Sequence, residues 1–202
     1  DITYPSAPLF LVYNTDLLKG MMNPIFYYSE SGQWKKPFPA HDVGTYPVAN
    51  GQTYGGDMPV EESGNMLVLA TAIAIVDGNA DYAAQHWEVL TPWANYLLKE
   101  GLDPKNQLCT DDFAGHFAHN TNLSIKAIMG VAGYGKLAEM LGKADIARQY
   151  TEVAREMAAK WVKMANDGDH YRLTFDKPGT WSQKYNLVWD RLLGLNLSLI
   201  HI

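Results

Sequence analysis

Cysteine is almost absent from this chain of 202 residues, in which Cys109 is the only one. A single thiol excludes a disulfide within the chain and leaves the redox compartment open. Basic residues are a minority too, with 16 Lys and Arg against 22 Asp and Glu and a net charge of -6. They are scattered through the predicted helices and form no basic stripe, so we expect no nucleic-acid partner.

Long hydrophobic runs are also missing. The longest, Met66 to Val76, is about half the length that crosses a bilayer, so it predicts a buried helix and no membrane span. A hydrophobic content of 47% is enough for one sizeable core. The chain starts at Asp1 without an initiator Met or a signal-like segment, as an excised or incomplete piece would.

The first sixty residues predict a helix followed by a long loop. Hydrophobic residues recur every three or four positions from Ala7 to Tyr28, which indicates a helix, and Asn23-Pro24 predicts a kink or an interruption in it. Residues 31–59 contain nine glycines and prolines, too many for a helix or a central strand. Loops of this length in compact domains are often functional.

The middle of the chain predicts two pairs of helices, which are Glu61 to Asp77 with Ala80 to Lys99, and about His119 to Leu141 with Ala144 to Met164. Seven residues between Gly78 and Ala94 recur as identical residues sixty-four positions later. A repeat of this length, made of two antiparallel helices, is typical of stacked αα-hairpins. Further on, His170 to Phe175 alternates like a short β-strand, and Tyr185 to Leu195 begins another helix.

Polar and titratable residues crowd into two stretches, residues 41–65 and 107–126, each just before an apolar helical run. A buried core would have to satisfy these groups bond by bond, so both stretches indicate a site. Stacked hairpins form an open solenoid or a closed toroid, and a long loop before each inner helix favours the toroid. We therefore predict an all-α fold, a segment of an (α/α)6-type toroid, with Asp42, Glu61 and Asp112 meeting at one rim.

Four motifs carry a family resemblance, and they are His41 to Pro47, Met58 to Met66, Gln107 to Asn120 and Thr180 to Asp190. On these motifs the chain resembles the glutaminase A family over residues 1–196. The resemblance implies a bacterial or fungal protein, extracellular or periplasmic, whose helical toroid follows a β-rich region. Residues 197–202 match one reading frame of a transposase adapter, so we expect them to be a non-native tail.

The family name implies hydrolysis of L-glutamine. The toroid also resembles the (α/α)6 domains of glycoside hydrolases, in which two carboxylates act as acid and base. A non-catalytic module that binds sugar or peptide is a third alternative. We expect a small-molecule substrate, glutamine or a sugar, the remainder of the protein's own chain as a partner, and no cofactor or metal.

The candidate catalytic residues are Asp42, Glu61, Glu62, Asp111 and Asp112. The candidate substrate-binding residues are His41, Asp57, Asn65, His116, His119, Asn120, Trp181, Lys184 and Asp190. Like-charge proximity and partial burial favour Asp112 as the general acid, with Asp111 ionised.

Other uses of these residues stay open. Asp111 and Asp112 could cap a helix, and Glu61 and Glu62 could serve a helix dipole. The spacing of His116 and His119 would place them on one helical face, and we expect Lys126 to be solvated.

Overall fold

The structure, a computed structural model, describes residues 2–109 and 115–197. Within these residues the regular structure is helical and there is no strand, which confirms the all-α prediction. A 3-10 turn at Tyr185–Leu187 precedes the last helix. The helices are α1 (Thr3–Tyr13), α2 (Thr15–Glu30), α3 (Pro59–Asp77), α4 (Asp81–Gln85), α5 (Trp87–Glu100), α6 (Thr121–Met140), α7 (Ala144–Ala165) and α8 (Val188–Leu192).

Helices α3 and α6 lie side by side and run parallel. Gly64 on α3 lies against Lys126 and Gly130 on α6, and one to two turns further along Thr71 lies against Gly133. Glycine at these positions lets the two helices approach closely, because no Cβ stands between them. Both helices therefore begin at the same end of the domain, as the repeat predicts.

Helices α5 and α7 return antiparallel to α6. Gly101, just after α5, lies against Ala127 in the second turn of α6, and Trp161 on α7 donates from Nε1 to the carbonyl of Thr121 at 2.8 Å. The turns after α3 and α6 contain Gly78 and Gly142, both with φ of 71°. Only glycine adopts this backbone geometry without strain, so the predicted helix stops are confirmed.

The core surrounds α3 and α6, which are buried on nearly every side, whereas α7 buries one face. In the part of the chain that the structure describes, α3 is the one helix long and apolar enough to cross a membrane. Its apolar stretch is 83% buried inside the protein, as expected for the core helix of a folded domain.

The predicted interruption at Asn23-Pro24 is wrong, since Pro24 lies inside α2, and the alternative of a kink there stays a prediction. Pro24 faces solvent, and the carbonyl with which its missing amide would have bonded belongs to Gly20, which is exposed to water. The break falls instead at Asn14, whose extended backbone separates α1 from α2. Asn14 Oδ1 accepts a hydrogen bond from the amide of Asp16 at 3.0 Å and so caps α2.

The predicted strand from His170 to Phe175 is also wrong, because its backbone bonds go to separate partners and form no ladder. The amide of Arg172 donates to Ala165, and the amide of Phe175 donates to His119. Two predicted helices are shorter or divided. His86 separates α4 from α5, and α8 ends at Leu192.

Candidate functional site

A set of buried polar side chains comes together at the N-terminal ends of α3 and α6, beside α1 and the 3-10 turn. These side chains, called the buried polar cluster below, are Tyr4 on α1, Glu61, Glu62 and Asn65 on α3, Lys126 on α6, and Asn186 in the 3-10 turn before α8. Two predicted catalytic residues, Glu61 and Glu62, and one predicted substrate-binding residue, Asn65, belong to it. Lys126 follows Glu62 by sixty-four positions, which is the spacing of the repeat.

Lys126 and Glu61 form an ion pair that is closed to solvent. Lys126 Nζ lies 2.6 Å from Glu61 Oε1, with the two side chains 0% and 1% exposed. Lys126 Nζ also lies 3.8 Å from the ring centroid of Tyr4, a cation–π contact. Burial acts to lower the pKa of Lys126, but the charge and the hydrogen bond of Glu61, together with Tyr4 and Glu62, outweigh it, so the pKa is raised. The predicted solvation of Lys126 is therefore wrong.

Glu62, the neighbouring carboxyl, has only partial pairing. Its Oε2 accepts a hydrogen bond from Asn65 Nδ2 at 3.3 Å, whereas Glu62 Oε1 and Asn65 Oδ1 are buried and make no hydrogen bond within the described part of the chain. Burial, followed by the charge of Glu61, raises the pKa of Glu62 to about 7. Glu62 can therefore take up or release a proton near neutral pH.

Tyr4 and Asn186 hold the cluster from the two ends of the described chain. Tyr4 donates from its hydroxyl to Asn186 Oδ1 at 2.7 Å and accepts a hydrogen bond from Trp189 Nε1 at 2.6 Å. Asn186 Nδ2 in turn donates to the carbonyl of Asn122 on α6 at 3.0 Å. Tyr4 and Asn186 could not be assigned to the site from sequence, because they are 182 residues apart and no local pattern marks them.

Asp42 organises the long loop of residues 31–58. Its carboxylate accepts hydrogen bonds from the amides of Gly44, Thr53 and Tyr54 at 2.8–3.1 Å and contacts His41 Nδ1 at 3.1 Å. Burial acts to raise the pKa of Asp42, but these hydrogen bonds outweigh it and lower the pKa to about 2. Asp42 is therefore a carboxylate that holds the loop together.

His41 and Asp57 also lie in this loop. The ring of His41 stacks on Tyr54 with 4.2 Å between centroids. Asp57 pairs with Lys36, accepts a hydrogen bond from Gln52 Nε2 at 3.2 Å, and lines a cleft of 310 Å³ beside the start of α3.

Gln107 also lines this cleft and fixes the first turn of α3. Its Oε1 accepts hydrogen bonds from the amides of Val60 at 3.0 Å and Glu61 at 3.3 Å, so it caps the helix from a separate segment of the chain. Asp57 of the loop and Gln107, which caps α3, therefore line the same cleft.

Asp111 and Asp112 lie outside the described residues, so their predicted meeting with Glu61 is untested. The prediction that His116 and His119 share a helical face is wrong, because α6 begins only at Thr121 and His119 has a φ of 63°. His116 is exposed, and His119 contacts Asp103 through Nδ1 at 2.7 Å, which raises the pKa of His119.

Asn120 caps α6. Its Oδ1 accepts a hydrogen bond from the amide of Leu123 at 2.9 Å, and its Nδ2 donates to Cys109 Sγ at 3.6 Å. Asn120 Oδ1 therefore already serves the backbone of the helix.

Trp181 and Lys184 line a cleft of 730 Å³, in which Trp181 is 68% exposed. Lys184 Nζ donates to the carbonyl of Ser182 at 2.6 Å. Asp190 is buried on α8 and accepts a hydrogen bond from the amide of Leu197 at 3.0 Å. The binding roles of these residues stay predictions. Across residues 2–109 and 115–197, no group of three or more His, Cys, Asp or Glu could hold a metal ion.

Comparison with known proteins places these observations in a family. Residues 1–199 match the glutaminase A six helical-hairpin domain. Glutaminase A of Aspergillus oryzae is 38% identical over 204 residues, which cover 98% of this chain and 30% of that protein. A probable glutaminase of Arthroderma benhamiae is 28% identical over 258 residues, with the same two shares. The chain thus spans about 30% of the length of these two fungal relatives.

Proposed function

The chain belongs to the glutaminase A family, and we propose that it is the hydrolase domain of a protein that releases ammonia from the side-chain amide of L-glutamine. Because the chain covers about 30% of its relatives, this activity is assigned to the whole protein. The remainder of that protein is the proposed partner of this domain. The observation that carries the proposal is Glu62, a buried carboxyl with one oxygen unbonded and a pKa of about 7.

Amide hydrolysis needs a group that accepts a proton and then returns it. The ionised Glu62 would take a proton from water as the water oxygen bonds to the amide carbon. It would then give that proton to the nitrogen as the carbon–nitrogen bond breaks and ammonia leaves. A carboxyl with a pKa near the working pH does both steps, because neither of its two forms is rare.

Asn65 supports this role. Its Nδ2 carries two hydrogens, and one of them is directed to Glu62 Oε2 at 3.3 Å. The second is the group that we assign to the oxygen of the amide, on which negative charge develops during attack. Asn65 would thereby hold Glu62 in place and bind the reacting group.

Glycoside hydrolysis is the competing proposal, and the ion pair makes it the weaker one. That chemistry uses two carboxyl groups that both face the substrate. Glu61 is 1% exposed and bound to Lys126, so only Glu62 of the α3 pair is free to act. A second carboxyl would have to come from elsewhere, with Asp111 and Asp112 as the sequence candidates. A non-catalytic binding module is disfavoured by a carboxyl that titrates near neutral pH.

The test uses the full-length protein, with ammonia release from L-glutamine and sugar release from a glycan panel measured side by side. Glu62→Gln keeps the side-chain shape and removes the titratable proton, so ammonia release should fall about a hundredfold or more. Glu88→Gln is the matched control, because Glu88 also lies in the first turn of a helix but is exposed. It should change turnover by less than about twofold.

Three results would contradict the proposal. Sugar release without ammonia release would indicate that the protein hydrolyses glycosides and not the amide of glutamine. Binding of either substrate without turnover would indicate a binding module. Full ammonia release by a folded Glu62→Gln variant would move the catalytic role to another carboxyl, of which Asp112 is the first to test by Asp112→Asn.

A further inference from the structure

Two adjacent glutamates begin α3, and their surroundings differ. Glu61 is held by a buried ammonium group 2.6 Å away, and Glu62 has an amide at 3.3 Å and an unbonded oxygen. Both carboxyls are buried, and the charge of Glu61 acts on Glu62. Two like charges in one buried place cannot both form at neutral pH without a large cost, so the structure must decide which carboxyl is ionised.

We propose that Lys126 and Glu61 are positioning residues, in which the ammonium of Lys126 holds the Glu61 carboxylate in place beside Glu62, and Glu61 in turn makes Glu62 the carboxyl that binds and releases the proton. The consequence of this proposal for catalysis rests on the proposed function. The assignment of Glu62 as the titrating carboxyl rests on the geometry of the pair and holds for any substrate.

The position of Lys126 suits a permanent charge. Among the described residues, the titratable groups that act on it include Glu61 and Glu62 from α3 and Tyr4 from α1. Burial raises the pKa of Tyr4, so this phenol stays neutral and offers its ring face to the ammonium at 3.8 Å. Among the described residues, Lys126 therefore meets a carboxylate, a protonatable carboxyl and an aromatic face.

The packing of Gly64 fixes this geometry. The side chain of Lys126 crosses from α6 to α3 directly over Gly64, where a Cβ atom would lie 2.6 Å from Lys126 Cγ. Gly64 follows Glu61 by three positions, so it lies on the same face of α3 one turn later. The missing side chain therefore leaves a channel along which Lys126 reaches Glu61.

Removing these charges should move the titration of Glu62 in a defined order. Glu61→Gln removes the like charge and leaves Lys126 to favour the ionised form of Glu62. The titration midpoint of Glu62 should therefore fall by about one to three pH units. The double variant Glu61→Gln/Lys126→Met removes both charges. Because Glu61 raises the pKa of Glu62 more than Lys126 lowers it, this midpoint should lie between wild type and Glu61→Gln.

The experiment is infrared difference spectroscopy of the full-length protein, which follows protonated carboxyl groups between pH 4 and 9 without any substrate. Glu62→Gln identifies the band of Glu62. The pH–rate profile of ammonia release is recorded on the same variants. The control is Lys136→Met/Glu139→Gln, which removes an exposed ion pair on α6 and should leave the midpoint within about 0.2 unit.

The titration midpoint of Glu62 should be highest in wild type, intermediate in the double variant and lowest in Glu61→Gln. The spectra and the pH–rate profile should show the same order. A midpoint unchanged in both folded variants would overturn the inference and leave the proposed function intact. The predicted order in the spectra without ammonia release would support the inference and reject the proposed function. If Glu61→Gln alone does not fold, the double variant decides, and its midpoint must lie below that of wild type.

Discussion

Gly64 lies beneath the side chain of Lys126, since a Cβ atom on Gly64 would be 2.6 Å from Lys126 Cγ. Gly64→Ala should therefore destabilise the protein by about 1–3 kcal/mol, because the lysine or the helix must move. The measurement is chemical denaturation of the full-length protein. Gly20→Ala is the control, because Gly20 lies inside α2 with nothing near its Cβ position, and alanine there should stabilise by up to about 1 kcal/mol. Equal effects at the two positions would contradict close packing at Gly64.

Removal of the buried ammonium is a second prediction. Lys126→Met should cost about 3–5 kcal/mol of unfolding free energy, because it leaves the Glu61 carboxylate buried without its cation. Lys136→Met, on the same helix, breaks an exposed pair with Glu139 and should cost less than about 0.5 kcal/mol. Denaturation curves of both variants at pH 7 make the comparison. A loss below about 1 kcal/mol for Lys126→Met would show that the pair is not buried in solution.

The raised pKa of Glu62 should make the stability of the protein depend on pH. The pKa of Glu62 is raised from 4.5 to about 7 in the folded protein, so between these values the folded state binds more protons than the unfolded state. Protonated Glu62 therefore makes its full contribution to the free energy of unfolding below pH 4.5. This contribution, about 3 kcal/mol in total, is lost as pH rises through 7. Glu62→Gln should be more stable than wild type at pH 8 and should lose this part of the pH dependence. Parallel pH curves for the two proteins would refute the assignment.

The loop of residues 31–58 gives a fourth prediction. The pKa of Asp42 is lowered to about 2, so its stabilising hydrogen bonds are present above pH 3.8 and are lost as pH falls through 2. Asp42→Asn should loosen the loop at neutral pH, because an amide accepts fewer of these bonds than a carboxylate. Limited proteolysis should then cut residues 43–56 several-fold faster than in wild type. Asp16→Asn, an exposed aspartate on α2, serves as the control.

The helical hairpins were predictable from sequence because their signals are local. Apolar spacing marks α3 and α6, and Gly78 and Gly142 take the left-handed backbone that ends each helix. The break before α2 was missed because Pro24 outweighed the weaker capping signal of Asn14. A proline on the solvent face of a helix costs one backbone bond, which water can replace at the exposed Gly20.

The candidate site was predictable only in part. The adjacent acids Glu61 and Glu62 correctly indicated the first turn of α3 as part of the candidate site, and Asn65 lies beside them. Lys126 was assigned to solvent because nothing in its neighbourhood along the chain shows that Gly64 leaves room for it. Tyr4 and Asn186 meet only in three dimensions, and no periodicity records such a contact.

Glu62 and Lys126 occupy the same place in successive hairpins, sixty-four residues apart, and parallel packing of α3 and α6 brings their charges into one buried region. Identical copies of one hairpin could not share this place, since two glutamates or two lysines would oppose each other there without water between them. An artificial protein assembled from one averaged hairpin must therefore break its own symmetry at this position before its helices can pack. The difference in charge between these two positions is thus also a condition for assembling such a domain from repeated parts.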